Sequence, residues 1–213
     1  MRGLPRPPLL LITDAGQARR PLLDVVAGAL AGGCRWISLR EKALAPRDRA
    51  ALLSALLRLT ADHGATVMVH GDVEAAAATG AHGVHLKRAE AIAPARARLG
   101  PRVLIGLSAH DGAQIAAAAA AGADYVTLSP VFLTASKPGY GPALGLARFA
   151  ALAAASALPV LALGGVDAAA AGACRAARAA GVAVMGEIMR SLDPAVTTAA
   201  LISELARACA AAR

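Results

Sequence analysis

The chain has 213 residues, of which 57% are hydrophobic but only 2% aromatic, and its formal net charge at pH 7 is +8. This length fits one domain, so we expect residues 1–213 to form a single unit with a core of Ala, Val, Leu and Ile. The alanine runs, such as Ala116–Ala121, are too short to cross a bilayer. Most arginines, such as Arg96, Arg98, Arg175, Arg178 and Arg207, stand singly without interleaved aromatic residues, which argues against nucleic acid as a partner.

The first apolar segment and the cysteines indicate the compartment. The apolar run Leu9–Ile12 ends after a few residues, too early for the core of a signal peptide. Cys34, Cys174 and Cys209 are an odd number without CxxC spacing, so they indicate neither a disulfide framework nor a cysteine metal site. We therefore expect a cytoplasmic protein with free thiols and no membrane association.

Apolar and β-branched segments recur along the chain, each followed by an Ala/Leu-rich helical stretch, which is typical of βα units. The predicted strands are Leu9–Thr13, Trp36–Arg40, Thr66–His70, Gly83–Leu86, Val103–Leu107, Tyr125–Ser129, Val160–Leu163 and Val182–Met185. Eight units favour a protein of the α/β class with a single (β/α)8 TIM barrel over a flavodoxin-like or other open sheet. No GxGxxG motif follows the first strand to indicate dinucleotide binding.

The junctions from helix into strand resemble one another. Glycines precede the second, fourth, sixth and eighth predicted strands, at Gly32-Gly33, Gly80, Gly122 and Gly181. Glycine after the last helical turn can adopt the left-handed conformation that ends the helix and turns the chain inward. We therefore assign these glycines to the fold and not to chemistry.

Residues that carry chemistry are expected at one end of the barrel, because TIM-barrel active sites lie at the C-terminal ends of the strands. This rule selects Thr13, Asp14, Ser38, Arg40, Glu41, Lys42, His70, Asp72, Lys87, Arg88, Glu90, Ser108, His110, Ser129, Thr134, Ser136, Lys137, Gly164, Gly165, Gly186 and Glu187.

Two glycine turns predict a phosphate site. The segment Leu163–Val166 (LGGV) ends the seventh predicted strand, and Met185-Gly186 ends the eighth. Glycines at these two strand ends let backbone N–H groups approach a phosphate. We therefore expect Gly164, Gly165, Met185 and Gly186 to bind a phosphorylated substrate.

The connection after the sixth predicted strand, residues 129–142, is long and rich in Gly and Pro. A loop of this length in a compact unit is usually functional and often covers substrate. Its Thr134, Ser136 and Lys137 can donate to a phosphate or pyrophosphate, and a lysine ammonium can assist an oxyanion leaving group. The alternative interpretation is an exposed loop with an ordinary surface lysine.

Taken together, these segments resemble the thiamine phosphate synthase and TenI superfamily, in the same order along the chain. The resemblance is carried by Leu11–Asp14 (LITD), Ile37–Lys42 (ISLREK), Gly83–Leu86 (GVHL), Ile105–His110 (IGLSAH), Ser129–Lys137 (SPVFLTASK) and Leu163–Val166 (LGGV). It extends from the first strand to the eighth and is specific at the level of the superfamily. It implies a barrel enzyme of thiamine biosynthesis.

Thiamine phosphate synthase joins hydroxymethylpyrimidine pyrophosphate to a thiazole phosphate, releases pyrophosphate and uses Mg²⁺. By resemblance, Arg40 and Lys42 hold the pyrimidine pyrophosphate, and Lys137 is the catalytic lysine that aids the departing pyrophosphate. The resemblance also implies substrate contacts at Ser108, Thr134, Ser136, Gly165, Met185 and Gly186.

The chain departs from the synthase pattern around the metal. The pattern usually has Gln at Ser38, Asn-Asp at His70-Gly71 and Gly-Gln-Glu-Asp at Lys87–Glu90, so both expected Mg²⁺ carboxylates are altered. The candidate ligands are then Asp72, one position further along, and Glu90, whose side chain is longer than that of aspartate. Both are questionable because Mg²⁺ demands near-octahedral geometry.

Other residues near the altered metal positions suggest that the substrate site has changed as well. Lys87 or Arg88 could neutralise phosphate directly in place of metal charge. His70 is either a substrate contact at the strand end or a replacement in a site whose chemistry has changed. We interpret His85, between Val84 and Leu86, as a hydrogen-bonded residue of the barrel core.

A TenI-like thiazole tautomerase is the main alternative, because it needs a phosphate cradle and an acid/base group but neither Mg²⁺ nor pyrophosphate. By resemblance, His110 matches the histidine that transfers the proton in the tautomerase, and imidazole suits this role near neutral pH. A histidine there also occurs in many synthases, so His110 does not separate the two activities.

Three functions therefore stay open: a synthase with Mg²⁺ as cofactor, a tautomerase without a cofactor, and a non-catalytic regulatory protein that binds a thiazole phosphate. The joint presence of Arg40, Lys42, Thr134, Ser136 and Lys137 favours the synthase. The expected partners are small phosphorylated substrates, and assembly into a homo-oligomer is left open.

Overall fold

The computed structural model describes residues 3–134 and 142–211, in which eight parallel strands form a closed barrel in chain order. The strands are β1 (Leu9–Ile12), β2 (Trp36–Leu39), β3 (Thr66–His70), β4 (Gly83–Leu86), β5 (Leu104–Ala109), β6 (Tyr125–Leu128), β7 (Val160–Leu163) and β8 (Gly181–Val184). The α-helices are α1 (Leu22–Ala31), α2 (Pro46–Thr60), α3 (Val73–Thr79), α4 (Ile92–Leu99), α5 (Gly112–Ala120), α6 (Gly145–Ala155), α7 (Ala168–Ala176), α8 (Gly186–Met189) and α9 (Pro194–Ala211). The predicted (β/α)8 TIM barrel is confirmed.

The strand bounds agree closely with those expected from the sequence. β3, β4 and β7 begin and end at the predicted residues. β5 continues past its predicted end to Ala109, so Ser108 lies within the strand and not after it. Ser38 likewise lies within β2, whereas Met185 follows β8.

An apolar layer fills most of the barrel interior below the C-terminal ends of the strands. It consists of Leu10, Ile12, Trp36, Met68, Leu104, Tyr125, Leu161 and Ala183. The Trp36 and Tyr125 rings meet edge to face with centroids 4.9 Å apart, and the Trp36 indole donates to the Met68 sulfur at 3.0 Å. Side chains alternate along a strand, so Ser38 and His70 occupy the next inward positions above this layer.

The outward faces of the strands form a second core beneath the helices, and small side chains allow the helices to pack closely. α9 packs against both α7 and α1. A methyl group on Gly32, after α1, would lie 2.8 Å from Cβ of Thr198 in α9, so only glycine fits this crossing. Within residues 3–134 and 142–211, no helix is long and apolar enough to cross a membrane.

Aspartate side chains begin three of the helices that follow strands. Asp72, Asp111 and Asp167 each accept a hydrogen bond from the backbone N–H three residues later, at 2.8–2.9 Å. Such caps satisfy a free helical donor and stabilise a helix by about 1 kcal/mol. Asp72 therefore has a structural role at the start of α3.

The glycine junctions are only partly as predicted. The glycines before β2, β4 and β6 have φ values of 97°, 71° and 85°, which confirms the left-handed turns. The prediction for Gly181 is wrong: before β8 the left-handed residue is Arg178, with φ of 68°. Gly181 lies within β8, where a methyl group would be 2.8 Å from Cβ of Pro8, so it is required by close packing.

The packing of the interior predicts a specific loss of stability. A methyl group on Gly106 of β5 would lie 2.5 Å from Cε1 of Tyr125. We expect Gly106→Ala to lower the free energy of unfolding, measured in urea, by about 1–3 kcal/mol, because a packed interior has no room for the methyl group. Gly172→Ala in α7 is the control, since its nearest neighbour would be 3.5 Å away. Equal stability of the two variants would contradict the packing described.

Candidate functional site

A cavity of about 390 Å³ opens at the C-terminal ends of the strands, a size typical of small-ligand sites. Ten of the residues predicted to bind or transform substrate line it, namely Arg40, Lys42, His70, Ser108, His110, Thr134, Gly164, Gly165, Met185 and Gly186. Ser136 and Lys137 lie outside the described residues. The structure thus brings the ten residues from six different strand ends to one place.

A second cavity, of about 700 Å³, adjoins the first on the side of β2, β3 and β4. Four residues line both cavities: Arg40, Lys42, His70 and Lys87. The register of β2 on β3 explains part of this arrangement, because it places Arg40 beside His70. We call Arg40, Lys42 and Lys87 the basic cluster.

Hydrogen bonds between the ends of β1 and β2 fix the backbone that carries Arg40. The Thr13 hydroxyl donates to Oε1 of Glu41 at 2.7 Å and accepts from the backbone N–H of Arg40 at 2.9 Å. The Glu41 carboxylate also accepts from the backbone N–H of Ala15 at 3.0 Å. A carboxylate oxygen of Asp14 lies 3.6 Å from Nη1 of Arg40. Thr13, Asp14 and Glu41 therefore position the guanidinium at the mouth of the barrel.

Two histidines lie against each other beside the basic cluster, with ring centroids 4.7 Å apart. His85 is a hydrogen-bonded core residue, as predicted: its ring nitrogens lie 3.0 Å from the Tyr125 hydroxyl and 3.0 Å from the Ser108 hydroxyl. Burial lowers the pKa of His85 to about 3. Burial, together with the nearby His85 and the basic cluster, lowers the pKa of His70 to about 2. Both rings are neutral at neutral pH, so the positive charge here belongs to the basic cluster.

His110 has one defined tautomer when it is neutral. Its Nδ1 lies 2.8 Å from the backbone carbonyl oxygen of Ser129. A carbonyl only accepts hydrogen bonds, so Nδ1 carries the proton and Nε2 has the lone pair. This arrangement suits a base that accepts a proton at Nε2.

The turn after β7 and the segment after β6 support each other. The backbone N–H of Val131 donates to the carbonyl of Leu163 at 2.9 Å. Gly164 and Gly165 have φ values of 100° and 65°, and a methyl group on Gly164 would lie 2.9 Å from a backbone carbon of the segment after β6. Glycine is therefore required in this turn, which holds the segment that brings Thr134 to the cavity wall.

Two charged residues that line the cavity, Asp167 and Arg190, were not predicted from the sequence, and Glu187 lines it as well. A methyl group on Gly186 would lie 2.5 Å from the guanidinium carbon of Arg190, and this guanidinium also donates to the side chain of Gln17. The cavity wall at β8 therefore places a cation directly beside a glycine turn. The spacing from Gly186 to Arg190 is one helical turn, so the sequence could have indicated that Arg190 lies beside this glycine.

Comparison with known proteins identifies the family. The sequence pattern of the family described as thiamine monophosphate synthase matches residues 9–188. This chain belongs to the thiamine monophosphate synthase family. A protein of Geobacter sulfurreducens, provisionally designated a thiamine-phosphate synthase, is 45% identical over 199 residues, which cover 92% of this chain and 93% of that protein.

Further relatives agree with this assignment to the thiamine monophosphate synthase family. The thiamine-phosphate synthase of Roseiflexus sp. is 40% identical over 93% of this chain and 85% of its own length. Among solved structures, the thiamine phosphate pyrophosphorylase of Pyrococcus furiosus has a TM-score of 0.84 and 28% identity, and the match covers 94% of this chain and 96% of that one.

The carboxylates expected to bind Mg²⁺ in a member of this family do not meet in the structure. Asp72 caps α3 and pairs with Arg49, whose Nε lies 2.8 Å from its Oδ2, and Glu90 lines neither cavity. Gly71, where the family pattern has aspartate, has φ of 73°, which favours glycine. Within the two described ranges, no group of three or more His, Cys, Asp or Glu residues could hold a metal ion. The residues present therefore do not fit the expected metal.

The buried histidines predict how stability depends on pH. Their folded pKa values lie below the ordinary value of 6.5, so the unfolded chain binds more protons and the free energy of unfolding falls as the pH drops from about 6.5 toward 3. Below about pH 6.5, each buried neutral histidine lowers the free energy of unfolding by about 1.4 kcal/mol per pH unit. Between pH 7.5 and pH 5 the free energy of unfolding of His85→Gln should therefore fall by about 2 kcal/mol less than that of the wild type. Urea unfolding at both pH values measures this difference.

The exposed His63 supplies the control, since His63→Gln should keep the pH dependence of the wild type. An unchanged pH dependence in His85→Gln would contradict the neutral, buried state of His85.

Proposed function

We propose that this protein is a thiamine-phosphate synthase, which couples hydroxymethylpyrimidine pyrophosphate to thiazole phosphate and releases pyrophosphate. The observation that carries the proposal is that the basic cluster and the turn at Gly164–Gly165 face one cavity from different walls. A tautomerase handles one phosphate ester and has no need for three further cations away from the phosphate turns. The names of the relatives from Roseiflexus and Pyrococcus furiosus support the same reaction.

The strand order suggests where each substrate binds. The basic cluster follows β2 and β4 and the glycine turns follow β7 and β8 of the closed barrel, and the two sets meet where Nη1 of Arg40 donates to the Met185 sulfur at 3.7 Å. The cations suit a pyrophosphate, which carries more charge, and the glycine turns with the nearby Arg190 suit the single phosphate of the thiazole. The reacting carbon and nitrogen would then meet between the two walls.

The reaction needs positive charge at its leaving group. The bond from the pyrimidine methylene carbon to the pyrophosphate oxygen breaks, its electron pair leaves with pyrophosphate, and the thiazole nitrogen forms the new C–N bond. Cations preorganised around the leaving oxygens stabilise the charge that develops there. The side chain of Arg40 is only 15% exposed, so solvent screens its charge less than that of a surface arginine. Lys137 and Ser136 keep the roles that the family resemblance gives them, as part of this proposal.

Incubation of the purified protein with both substrates tests the proposal, with thiamine phosphate followed by chromatography. We expect product, and we expect Arg40→Gln to lower kcat/KM roughly 10- to 100-fold, because a hydrogen bond to a charged group contributes about 1.5–3 kcal/mol. Lys137→Ala should also lose most of the activity. Arg207→Gln is the control, because Arg207 pairs with Glu204 on the exposed face of α9 and neither residue lines a cavity. No product, with or without Mg²⁺, would contradict the proposal.

The tautomerase stays the second candidate because the proton-free Nε2 of His110 suits it. Proton exchange on thiazole carboxylate phosphate, measured by NMR in D₂O, distinguishes the two activities. Exchange that is lost in His110→Asn, in a protein that forms no thiamine phosphate, would establish the tautomerase instead.

A further inference from the structure

Two changes from the family pattern coincide in this chain. Gly71 and Glu90 stand where the pattern has the aspartates that bind Mg²⁺, and neither supplies a carboxylate to the cavities. At the same time Lys87 stands where the pattern has glycine. One expected carboxylate is thus replaced by Gly71, the other lies outside both cavities at Glu90, and a positive side chain is gained at Lys87.

The structure distinguishes Lys87 from its neighbour Arg88. Lys87 lines both cavities together with Arg40 and Lys42, whereas Arg88 lines neither. The alternation along β4 explains the difference: Lys87 continues the inward face of His85, and Arg88 continues the outward face. Lys87 therefore faces the place where a pyrophosphate would bind.

Within the described residues no carboxylate forms an ion pair with Lys87, whereas Asp14 lies 3.6 Å from the Arg40 guanidinium. Asp72 pairs with Arg49 at 2.8 Å, Glu74 pairs with Arg98 at 3.0 Å, and Glu41 accepts hydrogen bonds from the end of β1. The three cations all act on the ring of His70, which stays neutral. Cations gathered around a neutral ring repel one another, so this site favours an anion with several negative charges.

We propose that Lys87 supplies the positive charge that Mg²⁺ supplies elsewhere in the family, so that this protein binds pyrophosphate without a divalent cation. The inference rests on the proposed function for the identity of its ligand. It makes Lys87 a direct contact of the leaving pyrophosphate together with Arg40 and Lys42.

Calorimetric titration of the whole protein with inorganic pyrophosphate in EDTA tests this proposal without any need for turnover. We expect the wild type to bind, and Lys87→Gln to weaken the dissociation constant roughly 10- to 100-fold, as for the loss of a charged hydrogen bond. Lys87→Arg keeps the charge and should stay within a few-fold of the wild type. Arg88→Gln removes the same charge one residue further along and should bind like the wild type. Circular dichroism shows whether each variant is folded.

Binding that disappears in EDTA and returns with Mg²⁺ would overturn the inference, and so would a folded Lys87→Gln that binds as tightly as the wild type. The outcome is separable from that of the coupling assay. Thiamine phosphate formed only with Mg²⁺ would overturn the inference and leave the synthase function intact. Binding in EDTA that depends on Lys87, in a protein that couples no substrates, would support the inference and contradict the function.

Discussion

A closed parallel barrel directs every second strand residue into one narrow interior, and this constraint decides where the chemistry of the protein lies. Along β2 the inward residues are Trp36, then Ser38, and then Arg40 just beyond the strand. Along β4 His85 is followed by Lys87. The interior therefore changes from apolar to polar and then to cationic from the N-terminal to the C-terminal ends of the strands. The alternation that fills the core also places these cations at the mouth of the barrel, where we propose that an anion binds.

Two buried polar atoms in the layer between the apolar core and the cations lack hydrogen-bond partners among the described residues. These atoms are the Ser38 hydroxyl oxygen and Nδ1 of His70. Unpaired buried groups lower stability, and proteins retain such local costs mainly at functional sites. Neutral histidines let this layer support several cations without adding to their charge. The cations line the same two cavities, so the polyanion of the proposed function would relieve the repulsion between them.

The sequence predicted the barrel and the ten cavity residues, because strand periodicity and strand ends are local features of the chain. It did not predict features that depend on packing between distant segments. The left-handed turn at Arg178 became apparent only in the structure, since Gly181 is required by its contact with Pro8. The role of Asp72 depended on whether α3 began directly after it, which the sequence left open.

The most direct test of this account is a crystal structure of the protein with thiamine phosphate and pyrophosphate, grown in EDTA. The account predicts pyrophosphate oxygens within hydrogen-bonding distance of Arg40 and Lys87, and the phosphate of thiamine phosphate at the turns of Gly165 and Gly186. Both anions on the β7–β8 side, or pyrophosphate outside the basic cluster, would contradict the division of the barrel mouth into two anion-binding walls.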